Sequence, residues 1–300
     1  MNIERGNIKD SAGDRLFNAI NYTFMLVILI IVLYPVVFVV SSSFSAKEAV
    51  SAGQVLLLPV GFSLEGYQAV FRDPAVLRSI AVSVGYTAAG TLINVVLTIM
   101  AAYPLSRRDL WGRGLIMGLF AFTMFFSGGL IPTYLLVKNL NLLDTPWALL
   151  LPTAVSIWNM VITRTYFNAT IPDELLEAAQ IDGCNDLTFL WKVVLPLSGP
   201  IVAVIALYYG VEHWNQYFNA LMYLKNPKWY PLQLVLREVL IRSQVNSDMI
   251  GDSKQMAELA GLSDLLKYSL IVVATAPLML VYPFVQRYFV KGVMIGALKG

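Results

Sequence analysis

The stretch LFNAINYTFMLVILIIVLYPVVFVVSSSFSA, residues 16–46, contains no Asp, Glu, Lys or Arg. A helix that spans the hydrocarbon core of a bilayer needs about 20 mostly apolar residues. This stretch exceeds that length, and its apolar part is too long for the hydrophobic region of a cleavable signal peptide. Pro35 lies inside it, which a membrane helix tolerates because neighbouring groups satisfy the freed backbone carbonyl. The sequence therefore predicts a retained membrane-spanning helix here.

The composition of the whole chain extends this prediction. Of 300 residues, 57% are hydrophobic and 13% are charged, with a mean hydropathy of +0.66. Soluble domains carry about 25% charged residues, so an ordinary soluble enzyme is disfavoured. A net charge of +2 argues against a nucleic-acid surface that depends on phosphate contacts. One cysteine, Cys184, and one histidine, His213, exclude an intramolecular disulfide framework, a multi-cysteine zinc site and most catalytic clusters.

Charge-free stretches of 18 residues or more occur six times along the chain. They delimit six predicted membrane helices, at about 17–40, 77–103, 115–136, 147–167, 195–221 and 267–289. Small residues are frequent in the second, third and fifth helices, which favours close helix packing in lipid. We therefore expect an all-α polytopic membrane protein with a single transmembrane domain over 1–300, an external segment at 225–266 and a cytoplasmic segment at 170–193.

The distribution of lysine and arginine orients this arrangement, because short cytoplasmic loops are enriched in both. Six helices place both termini on one side, and the basic residues predict that this side is cytoplasmic. The residues that carry this prediction are Arg5, Lys9, Arg15, Arg107, Arg108, Arg113, Arg287, Lys291 and Lys299. Two loops run against the pattern, residues 168–192 with five acids and residues 225–267 with six basic residues. Long loops count less in this rule.

Residues 170–196 read TIPDELLEAAQIDGCNDLTFLWKVVLP. Thr170 and Asp173 fit a capping box at a helix start. An apolar stripe follows, and Gly183 suits the left-handed position that ends a helix. A second short helix is expected from Asn185 to Val193. We call residues 170–193 the coupling segment, and predict that its short amphipathic helix turns sharply into another helix across the cytoplasmic mouth of the bundle.

The acids of the coupling segment distinguish two interpretations. A helix that rests on lipid headgroups favours Lys and Arg on its polar face. This segment instead carries the acids Asp173, Glu174, Glu177, Asp182 and Asp186. Acids are repelled by an anionic leaflet but can meet a basic groove on a protein. Physical reasoning alone leaves both a lipid-surface helix and a docking helix for a cytoplasmic partner open.

The same segment carries a family resemblance. Glu177-Ala178-Ala179, Gly183 and Leu195-Pro196 resemble the EAA…G…LP motif of permease subunits of binding-protein-dependent ABC importers. The resemblance covers nearly the whole chain. Trp214-Asn215 and the ending VKGVMIGALKG look like the sugar, maltose-type branch, and SGGLIPTY at 127–134 with WNM at 158–160 looks like the subgroup that serves complex oligosaccharides.

The resemblance implies a mechanism and a set of partners. Two homologous permease subunits pair in the bacterial plasma (inner) membrane, two ATPase subunits bind below, and an extracellular or periplasmic binding protein delivers an oligosaccharide. ATP-driven closure of the ATPases switches the bundle between inward-facing and outward-facing states. Neither a cofactor nor a metal is expected on this chain: it contains no G-x-x-x-x-G-K-[ST] string, so ATP and Mg belong to the ATPases. The residues implied in ATPase coupling are Glu177, Ala178, Ala179, Asp182, Gly183, Leu195 and Pro196.

A second group of residues is a candidate for the substrate pathway. Sugars are bound by aromatic faces and amide groups, which predicts contacts from Trp158, Asn159, Glu212, Trp214, Asn215 and Tyr217. An interfacial aromatic belt is the alternative for the tryptophans and Tyr217, a proton relay at His213 is disfavoured, and Asn94 is expected to bond another helix. A non-sugar importer permease, a secondary transporter and a membrane enzyme are the alternative functions; scarce intramembrane acids disfavour the last two.

Overall fold

The computed structural model describes residues 11–248 and 254–297, and within these ranges all regular structure is helical. A π-helical turn occupies Leu190–Val194 and a 3₁₀ turn occupies Pro227–Trp229. The α-helices are α1 Ala12–Ser43, α2 Lys47–Ser51, α3 Glu65–Arg72, α4 Pro74–Ser106, α5 Arg113–Phe125, α6 Leu130–Asn139, α7 Trp147–Leu150, α8 Ile157–Thr170, α9 Asp173–Ile181, α10 Asp186–Phe189, α11 Leu195–Leu197, α12 Gly199–Trp214, α13 Phe218–Tyr223, α14 Leu232–Asp248 and α15 Lys254–Ala297.

The chain divides into two compact units, of which the first comprises Met1–Val70 and Ile241–Val272. Its main element is α1, whose apolar side chains are exposed along most of its length, as expected of a helix that faces hydrocarbon. Within this unit α3 approaches α15 closely at Gly66. A Cβ atom at Gly66 would lie 2.2 Å from the hydroxyl of Ser269, so only glycine fits there.

The second unit comprises Phe71–Leu240 and Val273–Gly300. The 33-residue helix α4 is its central element and packs mainly against α12 and α8. α4 begins at Pro74, where proline lacks an N–H that a first turn leaves unbonded anyway, and Asp73 caps the N–H of Ala75 at 2.8 Å. The buried aromatic residues of its main core cluster are Tyr103, Phe167, Phe189 and Tyr209.

Three helical stretches are long and apolar enough to cross a membrane, namely Ala12–Ser43, Pro74–Ser106 and Ser263–Pro283. Two further pairs of helices pass the same test together but are bent. Arg113–Phe125 and Leu130–Asn139 meet at 112°, and Asp186–Leu197 and Gly199–Trp214 meet at 85°. The structure therefore differs from two predicted helices that were continuous, 115–136 and 195–221.

The first bend has a local cause. Residues 126–129 leave the helical conformation at Ser127-Gly128-Gly129, and Gly129 has φ +82°, which other residues rarely adopt. Glycine is also the poorest helix former after proline. A charge-free stretch of suitable length thus hides a break, because the count of charges does not register the glycine pair.

A further interruption, in addition to the two bends, falls in the predicted helix 147–167. Residues 151–156 are not helical, and Pro152 lies among them, so α7 and α8 are separate. Backbone groups that leave the helix must find other hydrogen-bond partners. Side chains from α4, α12 and the turn after α12 bond this stretch and one another. We call these residues the buried polar layer: Asn94, Thr98, Tyr209, His213 and Gln216.

The bonds of the buried polar layer are neutral. The Asn94 Nδ2 donates to the carbonyl of Thr153 at 3.1 Å, and the N–H of Ser156 donates to the Tyr209 hydroxyl at 3.0 Å. The Gln216 Nε2 donates to the carbonyl of Leu149 at 3.3 Å. These contacts let an irregular backbone stretch remain among apolar helices.

The layer also confirms the expectation that Asn94 bonds another helix. Its Nδ2 lies 3.2 Å from the Nε2 of His213 on α12. His213 is buried at 2% exposure, and its ring lies against Gly90, where a Cβ atom would be 2.4 Å from the Nε2. The lone histidine is therefore a packed and bonded core residue.

The predicted helix 267–289 lies within the longer α15. The predicted segment 225–266 contains the 3₁₀ turn, α14 and the first part of α15, while residues 249–253 lie outside the described residues. In this segment α14 begins at Leu232. The N–H of Leu232 donates to the Ser83 hydroxyl at 2.7 Å, which holds the start of α14 against α4.

Candidate functional site: the coupling segment

The predicted helix of the coupling segment is α9, Asp173–Ile181, which contains no buried residue. Its N-cap is Pro172, so the predicted capping box is wrong: Thr170 is instead the last residue of α8. Pro172 cannot continue α8 because its ring occupies the place of a backbone N–H. Asp173 and Glu174 then fill the first turn of α9, where negative charge stabilises a helix.

The turn after α9 confirms the prediction for Gly183, whose φ is +74°. The N–H of Gly183 donates to the carbonyl of Gln180 at 3.0 Å, and the N–H of Cys184 donates to that of Ala179 at 2.9 Å. A side chain at Gly183 would meet nothing within 4 Å, so the requirement for glycine there comes from its backbone conformation alone.

The chain then re-enters helix at α10. Asn185 caps it, since its Oδ1 accepts from the N–H of Thr188 at 2.8 Å. The π-helical turn Leu190–Val194 follows, and Leu195 and Pro196 lie in α11 just before the 85° bend. The N–H that Pro196 lacks contributes to this irregular path. The EAA…G…LP residues thus mark α9, its terminal turn and the bend into α12.

Side chains on the outside of this segment are unusually apolar for an exposed surface. Ile181 is 87% exposed, Leu187 70% and Trp191 68%. Contiguous exposed apolar groups mark interaction surfaces. Glu177 and Asp182 are also exposed, and neither makes an ion pair among the residues that the structure describes. Ala178 is exposed beside Glu177, whereas Ala179 and Leu176 pack on the core cluster.

Two of the five acids, however, pair within the chain. Asp186 accepts from the Arg107 Nη1 at 2.6 Å, and Asp173 lies 3.1 Å from the Arg108 Nε. In the sequence-based interpretation all five acids were groups that could meet a basic groove on a partner, and the two arginines served only as markers of orientation. Arginines directly after one helix and acids at two helix starts were the signal, but without the fold nothing showed that they meet.

Arg107 is also fixed by its neighbours. Its hydrogen bonds to Asp109 raise the pKa of the guanidinium, an effect that burial opposes and bonds to Tyr103 and Asp186 reinforce. The same bonds to Arg107 lower the pKa of the Asp109 carboxyl below its ordinary value of 3.8. Arg107 and Asp109 are therefore both charged at neutral pH, so the contact that fixes Arg107 in the turn after α4 is ionic.

The residues predicted for the substrate pathway differ in exposure and in hydrogen bonding. Trp158 is 61% exposed near the start of α8, and Asn159 beside it is buried at 4%. The Trp214 ring is buried, and its Nε1 donates to the carbonyl of Ala274 at 2.8 Å, so it ties α12 to α15. The Asn215 Nδ2 bonds the carbonyl of Val211 in its own helix at 2.9 Å.

The remaining pathway candidates are exposed. Glu212 lies on the outer surface of α12, and Tyr217 precedes α13 with its ring edge-on to Phe218 at 6.4 Å between centroids. Among the described residues no three His, Cys, Asp or Glu side chains come together as a metal site would need.

This helical bundle with an exposed turn between α8 and α12 belongs to a known class of transporter. Residues 94–295 match the family described as binding-protein-dependent transport system inner membrane component. Since this match covers more than half of the chain, the protein belongs to that family and is a non-catalytic permease subunit of a bacterial ABC importer. Membership implies partners of three kinds: a binding protein, ATPase subunits and a second permease.

Individual relatives extend over nearly the full chain. It is 44% identical over 288 residues to the polygalacturonan/rhamnogalacturonan transport system permease protein YtcP of Bacillus subtilis (strain 168), covering 96% of this chain and 99% of YtcP. It is 41% identical to Protein LplC of the same strain, with 97% of each chain covered.

A solved structure agrees with the fold. A chain of a bacterial ABC transporter involved in the import of the acidic polysaccharide alginate superposes with a TM-score of 0.85. The two chains are 32% identical, and the match covers 94% of this chain and 99% of that chain. The arrangement of helices described above is therefore that of an ABC importer permease.

Proposed function

We propose that the coupling segment is where an ATPase subunit docks, and that Glu177, Ala178, Ala179, Asp182, Gly183, Leu195 and Pro196 form its docking and transmission elements. The observation that carries this proposal is the exposure of α9 and the turn after it. Ile181 and Leu187 expose apolar side chains in this segment, and the exposed carboxylates of Glu177 and Asp182 make no ion pair among the described residues. A lipid surface would repel these acids, whereas a groove on a protein can accept both kinds of group.

The chain then works by transmitted motion. ATP and Mg bind the ATPase subunits, and their closure displaces α9, which shifts the helix bundle between its two states. Two permease subunits, this chain and a homologous one, enclose the pathway. An extracellular or periplasmic binding protein presents the solute when the bundle opens outward.

An oligosaccharide is the proposed solute, and acidic oligosaccharides are the class to test first. Support comes from the 44% identical permease named for polygalacturonan and rhamnogalacturonan and from the alginate importer. Trp158 has an exposed aromatic face of the kind that sugars bind, and the amide of Asn159, which is buried beside it, is the second proposed contact. Glu212, Asn215 and Tyr217 are proposed contacts further along the pathway, and Trp214 positions them through its bond to α15.

Six membrane passes with both termini in the cytoplasm are proposed for this chain. Three helices and two bent pairs account for five passes by length and composition. α7 and α8 with residues 151–156 supply the sixth, since the buried polar layer satisfies their break. An even number of passes also agrees with arginine-rich stretches at 5–15 and 107–113 on one side.

Docking is tested by measuring transport. The importer, with its ATPase, second permease and binding protein, is reconstituted in proteoliposomes, with Glu177→Lys as the variant and Glu48→Lys as a control at an exposed acid of α2. We expect Glu177→Lys to insert normally but to lose ATP-coupled uptake, because a reversed charge meets the same groove. Normal uptake by Glu177→Lys would contradict the docking proposal.

Sidedness is tested with the native thiol. Cys184 is the single cysteine of the chain and lies within the coupling segment. A membrane-impermeant maleimide should label it in inside-out vesicles and leave it unlabelled in right-side-out vesicles. Labelling in right-side-out vesicles would place this segment outside and overturn the proposed orientation.

The solute is tested by stimulation of ATP hydrolysis. The binding protein is loaded with oligogalacturonate, oligoalginate, a neutral maltodextrin or an amino acid mixture in parallel. We expect the acidic oligosaccharides to stimulate hydrolysis by the reconstituted importer most strongly. Stimulation by the neutral sugar alone would restrict the proposal to oligosaccharides in general, and stimulation by amino acids alone would overturn it.

A further inference from the structure

The two consecutive arginines at the end of α4 contact both ends of the short helix α9 and its turn. Arg107 bonds Asp186, the first residue of α10, at 2.6 Å, and Arg108 pairs with Asp173, the first residue of α9, at 3.1 Å. Between these two acids lie Glu177 and Gly183. The docking helix is thus bracketed by ion pairs to one neighbouring helix.

The Arg107 contact is the firmer of the two. Its side chain is 11% exposed and is held on three sides, because Nε and Nη2 donate to the two Asp109 carboxylate oxygens at 2.9 and 2.6 Å and Nη1 donates to the Tyr103 hydroxyl at 3.1 Å. The fork geometry of arginine makes such paired bonds directional. The guanidinium group that bonds Asp186 is therefore held in a fixed position.

The Arg108 contact is weaker but occupies the opposite end. Both of its side chains are exposed, at 81% for Arg108 and 52% for Asp173, and exposed ion pairs contribute little on their own. This pair matters because of its position. If Arg107–Asp186 were the only ion pair, the start of α9 at Asp173 could swing away from the end of α4.

Packing does not replace these contacts. α9 has no buried residue, and only Leu176 and Ala179 from it pack on the core cluster. A cavity of about 450 Å³ separates the start of α9 from the end of α4, and Arg107, Arg108 and Asp173 are among its lining residues. The polar contacts therefore bridge a gap that apolar side chains leave open.

The end of α4, which carries Arg107, is itself bonded to other helices of the bundle. The Arg164 Nε of α8 donates to the carbonyl of Leu105 near the end of α4 at 2.8 Å, and the Arg113 Nη1 donates to the carbonyl of Arg107 at 3.1 Å. α4 is in turn the central helix of its unit. A movement of α9 that displaces Arg107 therefore also moves α4, the helix that packs against most of its neighbours.

We propose that Arg107 and Arg108 are positioning residues that clamp the coupling segment to α4, and that movement of α9 passes into the bundle through Asp186–Arg107 and Asp173–Arg108. This inference rests on the proposed docking of an ATPase on α9. It adds a route by which the force leaves the docking helix, and it assigns a task to two acids that do not face the partner.

The test measures solute transported per ATP hydrolysed in the complete importer. We expect Asp186→Lys to retain the ATPase subunits and basal hydrolysis while solute per ATP falls about tenfold, within the range of measured coupling effects. Asp186→Glu should restore most of the loss, since it keeps the charge. Asp173→Asn should lose about twofold because its pair is exposed.

Two comparisons separate the clamp from general damage. Lys138→Gln removes an exposed charge of α6, outside the coupling segment, that makes no ion pair among the described residues, and it should leave solute per ATP unchanged. In a cycle of Arg107→Gln, Asp186→Asn and the double variant, the double variant should be no worse than the poorer single one, as expected for groups that act as a pair.

Two results would overturn the clamp. The first is an assembled Asp186→Lys importer with wild-type solute per ATP. The second is loss of the ATPase subunits from that variant, which would make Asp186 a docking residue. Failure of the docking proposal itself would instead show as normal ATP-coupled uptake by Glu177→Lys, whatever the result for Asp186→Lys.

Discussion

The helices are interrupted at two important places, and the two interruptions are stabilised by different kinds of contact. Residues 151–156 are held by the buried polar layer, whose hydrogen bonds are neutral. The coupling segment is held at its ends by the ion pairs of Arg107 and Arg108. Isolated charges are costly in an apolar interior, so neutral groups are used there and ionised ones at the wet surface.

The comparison also separates two purposes. The buried layer converges on one stretch of backbone from α4, α12 and the turn after α12, so that stretch is over-determined and rigid. The coupling segment has few contacts and a cavity beside it, and its outward face has no partner within the described chain. One break is fixed by its contacts, whereas the other is the one that we propose transmits movement.

The largest expected effect comes from overfilling the buried layer. Gly90→Leu places a side chain where the His213 ring already lies, with Cβ 2.4 Å from its Nε2, so we expect loss of folded protein. Gly90→Ala should destabilise by about 1–3 kcal/mol through the same overlap. Thermal unfolding in detergent, followed by tryptophan fluorescence, measures both.

Gly85→Ala is the matched control, because it lies in the same helix and a Cβ there meets nothing within 4 Å. It should leave the melting temperature close to that of the wild type. His213→Ala added to Gly90→Ala should recover part of the lost stability. If Gly90→Ala and Gly85→Ala behave alike, the packing of His213 against α4 is not as described.

A second change breaks the coupling segment while leaving the bundle intact. Gly183→Val forces a β-branched residue into φ +74°, which costs about 1–2 kcal/mol locally and unwinds the turn after α9. We expect the variant to insert and melt normally but to lose ATP-coupled uptake. Uptake by reconstituted importer, with the melting temperature of the same sample, gives both readings.

Gly183→Asn sharpens this prediction, since asparagine tolerates the left-handed region better than valine. It should keep a substantial part of the uptake. Equal loss in the asparagine and valine variants would mean that side-chain volume at the docking surface, and not backbone conformation, sets the requirement at this position.

A third change tests the bonds of the buried layer. Asn94→Leu removes two contacts, to the carbonyl of Thr153 and to His213. Interhelical hydrogen bonds in membrane proteins average about 0.6 kcal/mol, so the expected loss is about 1 kcal/mol. Thr165→Val, which removes only an exposed bond to its own helix, is the control and should have a smaller effect on unfolding. If Thr165→Val lowered the free energy of unfolding as much as Asn94→Leu, the bonds of the buried polar layer would have no special role in stability.

The smallest expected effect is that of salt. The Arg108–Asp173 pair is exposed and should weaken as the screening length falls from about 10 Å at 0.1 M to about 3 Å at 1 M salt. We expect faster proteolysis of the coupling segment at high salt, with no change in the melting temperature of the bundle. The reverse pattern would mean that ion pairs support the bundle and not the segment.

Much of this architecture could be predicted from the sequence. Charge-free stretches indicate an all-α membrane protein because spanning helices need uninterrupted apolar residues, and the pattern at Glu177–Gly183 indicates a helix with a left-handed terminal turn. The breaks at residues 126–129 and 151–156 were missed, because a count of charges registers neither Gly128-Gly129 nor Pro152, and it does not show whether neighbours can bond the freed backbone.

The contacts of the candidate site were less accessible for a physical reason. Arg107 and Asp186 are 79 positions apart, so their encounter depends on how α4, α8 and α10 pack together. Trp214 shows the converse error. An aromatic residue beside an amide predicts a sugar contact, yet its indole N–H is already used by the carbonyl of Ala274. Local pattern gives the chemical type of a group, whereas availability depends on tertiary structure.

The uncovered side chains of Ile181, Leu187 and Trp191 have a consequence for production of the protein in cells. On the proposed docking of an ATPase at the coupling segment, a copy of this chain without its partners exposes these apolar side chains to water, where chaperones and membrane proteases recognise such surfaces. Orphan copies should therefore be short-lived, and yields should rise when the ATPase gene is expressed in step with this one. Supply of the companion, more than the strength of the promoter, then sets how much permease accumulates.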